Sequence, residues 1–126
     1  MVIVDTNILI GFLRHPDEET LRCLQENSVC LCGVVKAELM HGARSAEDCE
    51  RLSNALKCFP CLGMKESDWV DLGRNLYALR SHGVTVPFQD AIIVTIALSN
   101  FASVWTNDRH FNMMKTVFPD LKLFNS

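Results

Sequence analysis

Short apolar runs alternate with longer stretches of helical periodicity along the whole chain. Val2-Ile3-Val4 is a continuous apolar run that closes on Asp5. It reads as a buried strand whose C-terminal end delivers a carboxylate. Thr6 and Asn7 follow, and Ile8 to Leu13 continues as a helix starting at that strand end. Pro16-Asp17-Glu18-Glu19 opens a second helical piece over 17–27, with its acids favourable near the N-terminus. Val29 to Cys32 is a second buried strand. Helices follow over 34–43 and 46–57, the latter with Glu47 and Arg51 at i, i+4 spacing. Residues 59–62 form a third strand. Trp69, Leu72, Leu76 and Leu79 recur every three or four positions, which predicts an amphipathic helix over 66–79. His82-Gly83 ends that helix and Pro87 announces an apolar one over 88–100. Residues 103–106 and 121–124 close the series as the fourth and fifth strands.

Buried strands alternating with helices predict an α/β domain, with a mainly parallel sheet and helices on both faces. In such sheets sites form beyond the carboxyl ends of the strands. No repeat, low-complexity tract or linker divides the 126 residues, so a single domain over 1–126 is expected. The apolar fraction of 48% and charged fraction of 21% exclude a mostly disordered chain. The run Ala91-Ile92-Ile93-Val94 breaks at Thr95, far short of the roughly 20 residues a membrane span needs. Met1-Val2-Ile3-Val4 carries no basic leader, so no secretory signal is expected and the cytoplasm is the expected location. The net charge of −3 argues against broad electrostatic wrapping of nucleic acid. It leaves room for a small site that handles phosphates through a metal.

The six cysteines are Cys23, Cys30, Cys32, Cys49, Cys58 and Cys61. Cys30/Cys32 and Cys58/Cys61 have spacings that suit a four-thiolate zinc, and the second pair has redox-motif spacing. Both pairs lie in short apolar runs, so packing in buried strands of a reduced protein is the favoured reading.

Four acids stand out by position. Asp5 ends the first strand and Asp108 follows the fourth by two residues, on the same edge of a parallel sheet. Glu38 shares a helical stripe with Val34, Val35 and Gly42, and Asp90 shares one with Ile93, Val94 and Ala97. A carboxylate on an apolar stripe is an anomaly, because burying it unpaired is expensive. Each also has a plainer account. Asp5 can cap a helix, Asp90 can serve as an N-terminal helix charge, Glu38 can pair with a buried base, and Asp108 can sit in an Asn-Asp turn. Converging carboxylates repel. At about 4 Å and an effective dielectric of about 20, a like-charged pair costs about 4 kcal/mol. A cation or protons must offset that. Oxygen ligands suit Mg²⁺ or Mn²⁺ rather than zinc. Setting aside four negative charges turns the net −3 into +1, so a metal-loaded site need not repel a polyanion.

Four segments carry a family resemblance: Val4-Asp5-Thr6-Asn7, Ala37-Glu38-Leu39-Met40-His41-Gly42, Phe88-Gln89-Asp90-Ala91-Ile92-Ile93, and Thr106-Asn107-Asp108-Arg109-His110-Phe111. Together and in this order they resemble the motifs of the PIN-domain ribonucleases, most of all the VapC toxins of bacterial toxin–antitoxin pairs. The likeness spans essentially the whole chain. It implies a PIN-like three-layer α/β/α fold with about five strands. It implies Asp5, Glu38, Asp90 and Asp108 as the Mg²⁺ or Mn²⁺ ligands of an endoribonuclease. RNA is then cut by metal-activated water, leaving a 5′-phosphate and a 3′-hydroxyl. Asn7 and Thr106 match positions that orient the acids or the water. Arg109 and His110 adjoin the cluster, as phosphate contacts or as solvated helix-start residues. The chain departs from the pattern at Gly33-Val34-Val35, where many relatives have Ser or Thr before the glutamate.

The resemblance also implies a cognate antitoxin that lays a helix in an apolar groove, and a homodimer. Helices 8–14 and 17–27 are the expected groove. His15, His41 and His82 read as surface or turn residues, and Trp69 and Trp105 as core. Arg14, Arg44 and Arg80 are candidates for an RNA path that the sequence does not place. Two rival readings remain: a PIN-fold module that only binds a protein partner, and a phospho-accepting receiver-like domain built on Asp5.

Overall fold

The computed structural model describes residues 1–124. Five short strands form one sheet: β1 (Val2–Val4), β2 (Val29–Cys32), β3 (Cys61–Leu62), β4 (Ser103–Trp105) and β5 (Lys122–Leu123). Their order is β3-β2-β1-β4-β5, and every pairing is parallel. Seven helices connect them: α1 (Thr6–Arg14), α2 (Glu18–Glu26), α3 (Gly33–His41), α4 (Ala46–Leu56), α5 (Glu66–Ser81), α6 (Phe88–Ser99) and α7 (Arg109–Val117). Connections from β1 run outward through β2 to β3, and the chain then crosses back to β4 and β5. With right-handed crossovers this puts the two sets of helices on opposite faces. The packing agrees: α3 touches α1 and α4, while α5, α6 and α7 touch one another. The result is the three-layer α/β/α arrangement that the alternating pattern predicts. The strand order differs from the 2-1-3-4-5 order of receiver-type sheets, which removes that reading.

The three central strands are almost wholly buried, because helices cover both faces. Ile3, Leu31 and Val104 meet Val35 of α3, Ile93 and Ile96 of α6, and Phe111 and Met114 of α7 in one core. Helix α6 is buried at Asp90, Ala91 and every position from Ile93 to Ala97. A helix apolar on nearly all sides belongs inside. Among the described residues, no helix is long and apolar enough to cross a membrane.

Element ends deviate from the sequence reading for identifiable reasons. Helix α1 begins at Thr6 because Asp5 caps it, accepting from the Thr6 N–H at 2.8 Å. Strand β3 begins at Cys61, not 59. Phe59 still closes the last turn of α4 onto Leu56, and Pro60 has no N–H to give the sheet. Helix α7 extends from Arg109 to Val117, where the sequence suggests only a helix start. Its signal is present as Phe111, Met114 and Phe118, spaced by three and four.

Two side-chain expectations fail. Trp69 is 51% exposed, because the buried stripe of α5 runs through Asp68, Leu72 and Leu79 and turns Trp69 outward. Trp105 is buried as expected and packs its ring against Phe124. Cys30 and Cys32 are buried core residues, but Cys58 and Cys61 are exposed, in the turn after α4 and on the edge strand. Burial pushes the Cys32 thiol up to about 11, which leaves it protonated and inert.

Helices α5 and α6 end in the same hydrogen-bond pattern. After α5, Gly83 (φ 71°) donates to Arg80 O, and Val84 N–H reaches Leu79 O at 2.9 Å. After α6, Phe101 (φ 54°) donates to Leu98 O, and Ala102 N–H reaches Ala97 O at 2.9 Å. Both are Schellman caps, which need one left-handed residue. Glycine adopts that conformation freely, but Phe101 does so at a cost and is 83% exposed. Phe101→Gly is therefore expected to stabilise the fold by roughly 1 kcal/mol, raising the melting midpoint by about 4 °C. Circular-dichroism melts check this, and an unchanged or lower midpoint would refute the strain.

Candidate active site

The sheet order reverses between β1 and β4, so their carboxyl ends flank a crevice. Asp5 closes β1 and caps α1. Asp108 follows β4 and caps α7, accepting from the His110 N–H at 2.9 Å. Asp90 lies in the first turn of α6. Three helix N-termini thus meet at this edge, and their positive dipole ends partly offset the acids. Asp5 caps α1 and Asp90 is an N-terminal helix charge, as their plainer readings have it, while Asp108, expected in an Asn-Asp turn, caps α7; all three roles coexist with convergence.

A hydrogen-bond chain ties the acids together. Thr106 Oγ1 donates to Asp5 Oδ2 at 2.7 Å and accepts from the Asp108 N–H at 2.9 Å. Asn7 Nδ2 lies 3.3 Å from Asp5 Oδ2 and 3.4 Å from Thr106 Oγ1, while Asn7 Oδ1 accepts from the Asn107 N–H at 3.2 Å. His110 Nδ1 stands 3.2 Å from Asp90 Oδ2 and 3.1 Å from Asp108 Oδ1. Asp90, Asp108 and His110 each offer a ligand atom, and those atoms lie within 4.8 Å of one another. This is the one such group of His, Cys, Asp and Glu among the described residues, so the cysteines form no counterpart.

Glu38 departs from expectation. It is exposed, at the rim of the stripe that buries Val35 and Leu39. Its link to the cluster is Thr6, whose Oγ1 donates to Glu38 Oε1 at 3.2 Å. Thr6 thus holds both ends of the site, its N–H on Asp5 and its hydroxyl on Glu38. The sequence pattern gives Thr6 no role of its own, although its place directly after Asp5 is a visible signal. Arg109 is exposed and makes no hydrogen bond or ion pair among the described residues. His110 sits between two carboxylates, closer to the acids than a peripheral phosphate contact.

The electrostatics follow from this packing. Burial pushes the Asp90 carboxyl up to about 6, and the negative charges of Asp5 and Asp108 add to it, with His110 opposing. Burial also raises Asp5, against the hydrogen bonds from Thr106 and Thr6, and Asp108 raises it further. Such a set of crowded, mostly oxygen donors fits a hard divalent cation. Asp90, Asp108 and His110 bring their ligand atoms together, Asp5 is joined to them through Thr106, and Glu38 stands at the rim.

The class that this geometry defines is a parallel α/β domain with an acidic crevice at its topological switch point. The chain belongs to the PIN-domain family: the PIN domain model matches residues 2–116. No curated protein sequence matches it. Its fold is similar to that of a chain in VapBC2 from Rickettsia felis bound to a promoter DNA fragment. There the identity is 19%, the TM-score 0.85, and coverage 100% of this chain and 99% of that one. It is also similar to a chain of DNA-bound VapBC from Salmonella typhimurium, at 22% identity, TM-score 0.81, and 98% and 96% coverage. A third likeness is to FitAcB from Neisseria gonorrhoeae, at 23% identity, TM-score 0.80, and 99% and 97% coverage.

The raised carboxyls have a thermodynamic consequence. An aspartate whose folded pKa lies above its unfolded value binds more protons when folded. Stability then falls as pH rises from about 4 through about 6, and the penalty persists above that. Asp90→Asn removes it. In metal-free buffer at pH 7.5 the variant is expected to be more stable than wild type by on the order of 2 kcal/mol, after a discount for the crevice's open side. The gain should vanish by pH 4. Urea titrations at the two pH values check this, and a variant less stable at pH 7.5 would show that the acids do not repel.

Proposed function

We propose that the chain is an Mg²⁺- or Mn²⁺-dependent endoribonuclease and the toxin of a toxin–antitoxin pair. The observation that carries the reading is the convergence of Asp5, Asp90 and Asp108, with His110 between two of them, at the sheet's switch point. Asp5, Glu38, Asp90 and Asp108 are the metal-holding and catalytic set. When bound, the cation supplies charge neutralisation at the scissile phosphate and activation of water for in-line attack. The residues do the rest. Thr106 and Asn7 fix the Asp5 carboxylate, Thr6 aims Glu38, and Asp108 and Asp90 hold the imidazole of His110. Arg109 projects from the same turn, free to meet a phosphate of RNA. Cleavage leaves a 5′-phosphate and a 3′-hydroxyl. The PIN family match supports the nuclease class, and the likeness to VapBC chains supports the toxin role.

The partner groove of this reading differs from the one expected on helices 8–14 and 17–27. Helix α2 buries no residue fully and faces a different cleft. A cavity of about 360 Å³ lies instead between α1, α3 and α4, with Ile10, Leu13, Leu39 and Leu52 as its apolar lining and Arg14, Arg44 and the Arg51–Asp48 ion pair at its rim. An amphipathic antitoxin helix with acidic flanks fits there. Arg14 and Arg44 therefore serve the partner rather than an RNA path. Arg80 stands over the Tyr77 ring, 5.6 Å from its centroid. Exposed Trp69 and Tyr77 share one face of α5, and this face is our candidate for the homodimer surface. Such a protein acts in the cytoplasm, on RNA.

Two measurements test the core of the proposal. Millimolar Mn²⁺ or Mg²⁺ should raise the wild-type melting midpoint, by an equivalent of about 2.7 kcal/mol at 100 times the dissociation constant, and should leave Asp90→Asn unmoved. Asp5→Asn and Asp90→Asn should each cut the rate of RNA cleavage by roughly a thousandfold or more, on the order of 4 kcal/mol. Full activity in both variants would sink the mechanism. Metal binding without any RNA cleavage would favour a PIN-fold module that only binds a partner.

A further inference from the structure

A cleft of about 310 Å³ opens beside the acidic cluster, between α1, the start of α2 and the turn after β4. That volume falls in the range of roughly 300–1,000 Å³ usual for small-molecule sites. Asn7 is the shared wall. Its amide nitrogen touches Asp5 while its oxygen holds the backbone of Asn107, which lines the cleft. A group in the cleft is thus one side chain away from a phosphate at the acids.

The lining says what kind of group this is. No lysine or arginine contributes to it, and Asp17 and Glu19 do, so a phosphate is excluded. Phe12, half-buried in the wall, offers an apolar ring, and His15 and Asn107 offer polar edges. Asp17 spends one oxygen, Oδ1, on the Thr20 N–H at 2.9 Å, which leaves the other free to accept. The exposed Glu19 side chain has no hydrogen-bond partner among the described residues. An aromatic ring and acceptor carboxylates in one lining are the two kinds of group by which proteins hold single-stranded RNA bases, by stacking and by hydrogen bonds to the Watson–Crick edge. Guanine presents two parallel N–H donors on that edge, which a carboxylate accepts together. Uracil presents one N–H between two carbonyl oxygens, which a carboxylate repels.

We propose that this cleft takes the nucleobase next to the scissile phosphate and selects guanine there over uracil. The inference rests on the nuclease reading for its biological sense, but its test has an independent readout. Guanosine and uridine 5′-monophosphates are titrated into the metal-loaded full chain, and the amide resonances of Asn107 and Thr20 are followed by NMR. In parallel, a randomised single-stranded RNA is cleaved and its ends are sequenced. The guanine nucleotide is expected to shift those resonances and to bind at least tenfold more tightly than the uridine nucleotide, with guanine enriched at the cut by a similar factor. Glu19→Gln and Asp17→Asn should each flatten both preferences by threefold or more. Asparagine still caps α2, so the fold is kept. Cleavage with no base preference, or with one that both variants leave intact, overturns the cleft assignment and leaves the nuclease standing. Selective guanine-nucleotide binding without any cleavage overturns the nuclease and keeps the cleft. Resonances that respond to an arginine-rich peptide but to neither nucleotide overturn the cleft in favour of a protein occupant.

Discussion

Mutual repulsion among Asp5, Asp90 and Asp108 is the constraint around which the rest of this molecule is arranged. Three carboxylates in a partly buried crevice are unstable as a free set, and nothing local to them compensates fully. They are held together from a distance. Asp5 is fixed by the register of β1 between β2 and β4, Asp90 by the burial of α6, and Asp108 by α7 anchored through Phe111 and Met114. Each acid lies within a residue or two of an element that cannot move without opening the core. Packing energy is thereby converted into local charge density. Burial first, and then the charges of Asp5 and Asp108 beside it, push the Asp90 carboxyl up.

The topology decides where this density is placed. Connections leave β1 and β4 in opposite directions, so no loop covers the crevice between their carboxyl ends. The same reversal brings the N-termini of α1, α6 and α7 to one point. Their dipoles reduce the repulsion, and their free N–H groups are taken up by the acids themselves, as the Thr6 and His110 amides show. Capping and catalysis are often treated as rival explanations for an aspartate at a strand end. Here the cap fixes the rotamer that points the second carboxylate oxygen of Asp5 at Thr106.

The sequence carried the frame of the fold because its signals are strong and local. Val2-Ile3-Val4, Val29 to Cys32 and the apolar helix at 88–99 are each legible from a few residues, and Asp5, Asp90 and Asp108 follow from their positions relative to those elements. What it did not carry depends on rotation about helix axes and on long-range contact. Around the helix axis Trp69 lies about 100° from Asp68 and about 60° from Leu72, a rotation that one helical register cannot reveal without knowing where the sheet is. Glu38 shares that problem: its neighbours Val35 and Leu39 are buried, yet it sits at the rim. The link from Thr6 to Glu38 spans 32 positions, and the place of His110 between two acids depends on the approach of α7 to α6. Exposure of Cys58 and Cys61 follows from β3 being a two-residue edge strand, a property of sheet order.

The distribution of charge around the crevice carries the reasoning one step further. Arg14 and Arg44 lie on the α1–α3–α4 groove, where Asp48 pairs with Arg51, and no lysine or arginine lines the cleft on the other side of Asn7. A polyanion approaching Asp5 and Asp90 in the absence of metal meets like charge, which Arg109 and His110 beside the crevice oppose in part. Substrate binding and metal binding are therefore coupled in sign: each favours the other by reducing the same repulsion. The charge of the proposed partner groove, by contrast, does not depend on whether the crevice is loaded. On the proposed reading the two tasks are separated by charge: the crevice would accept its substrate once a cation is bound, and the groove would accept its partner in either state.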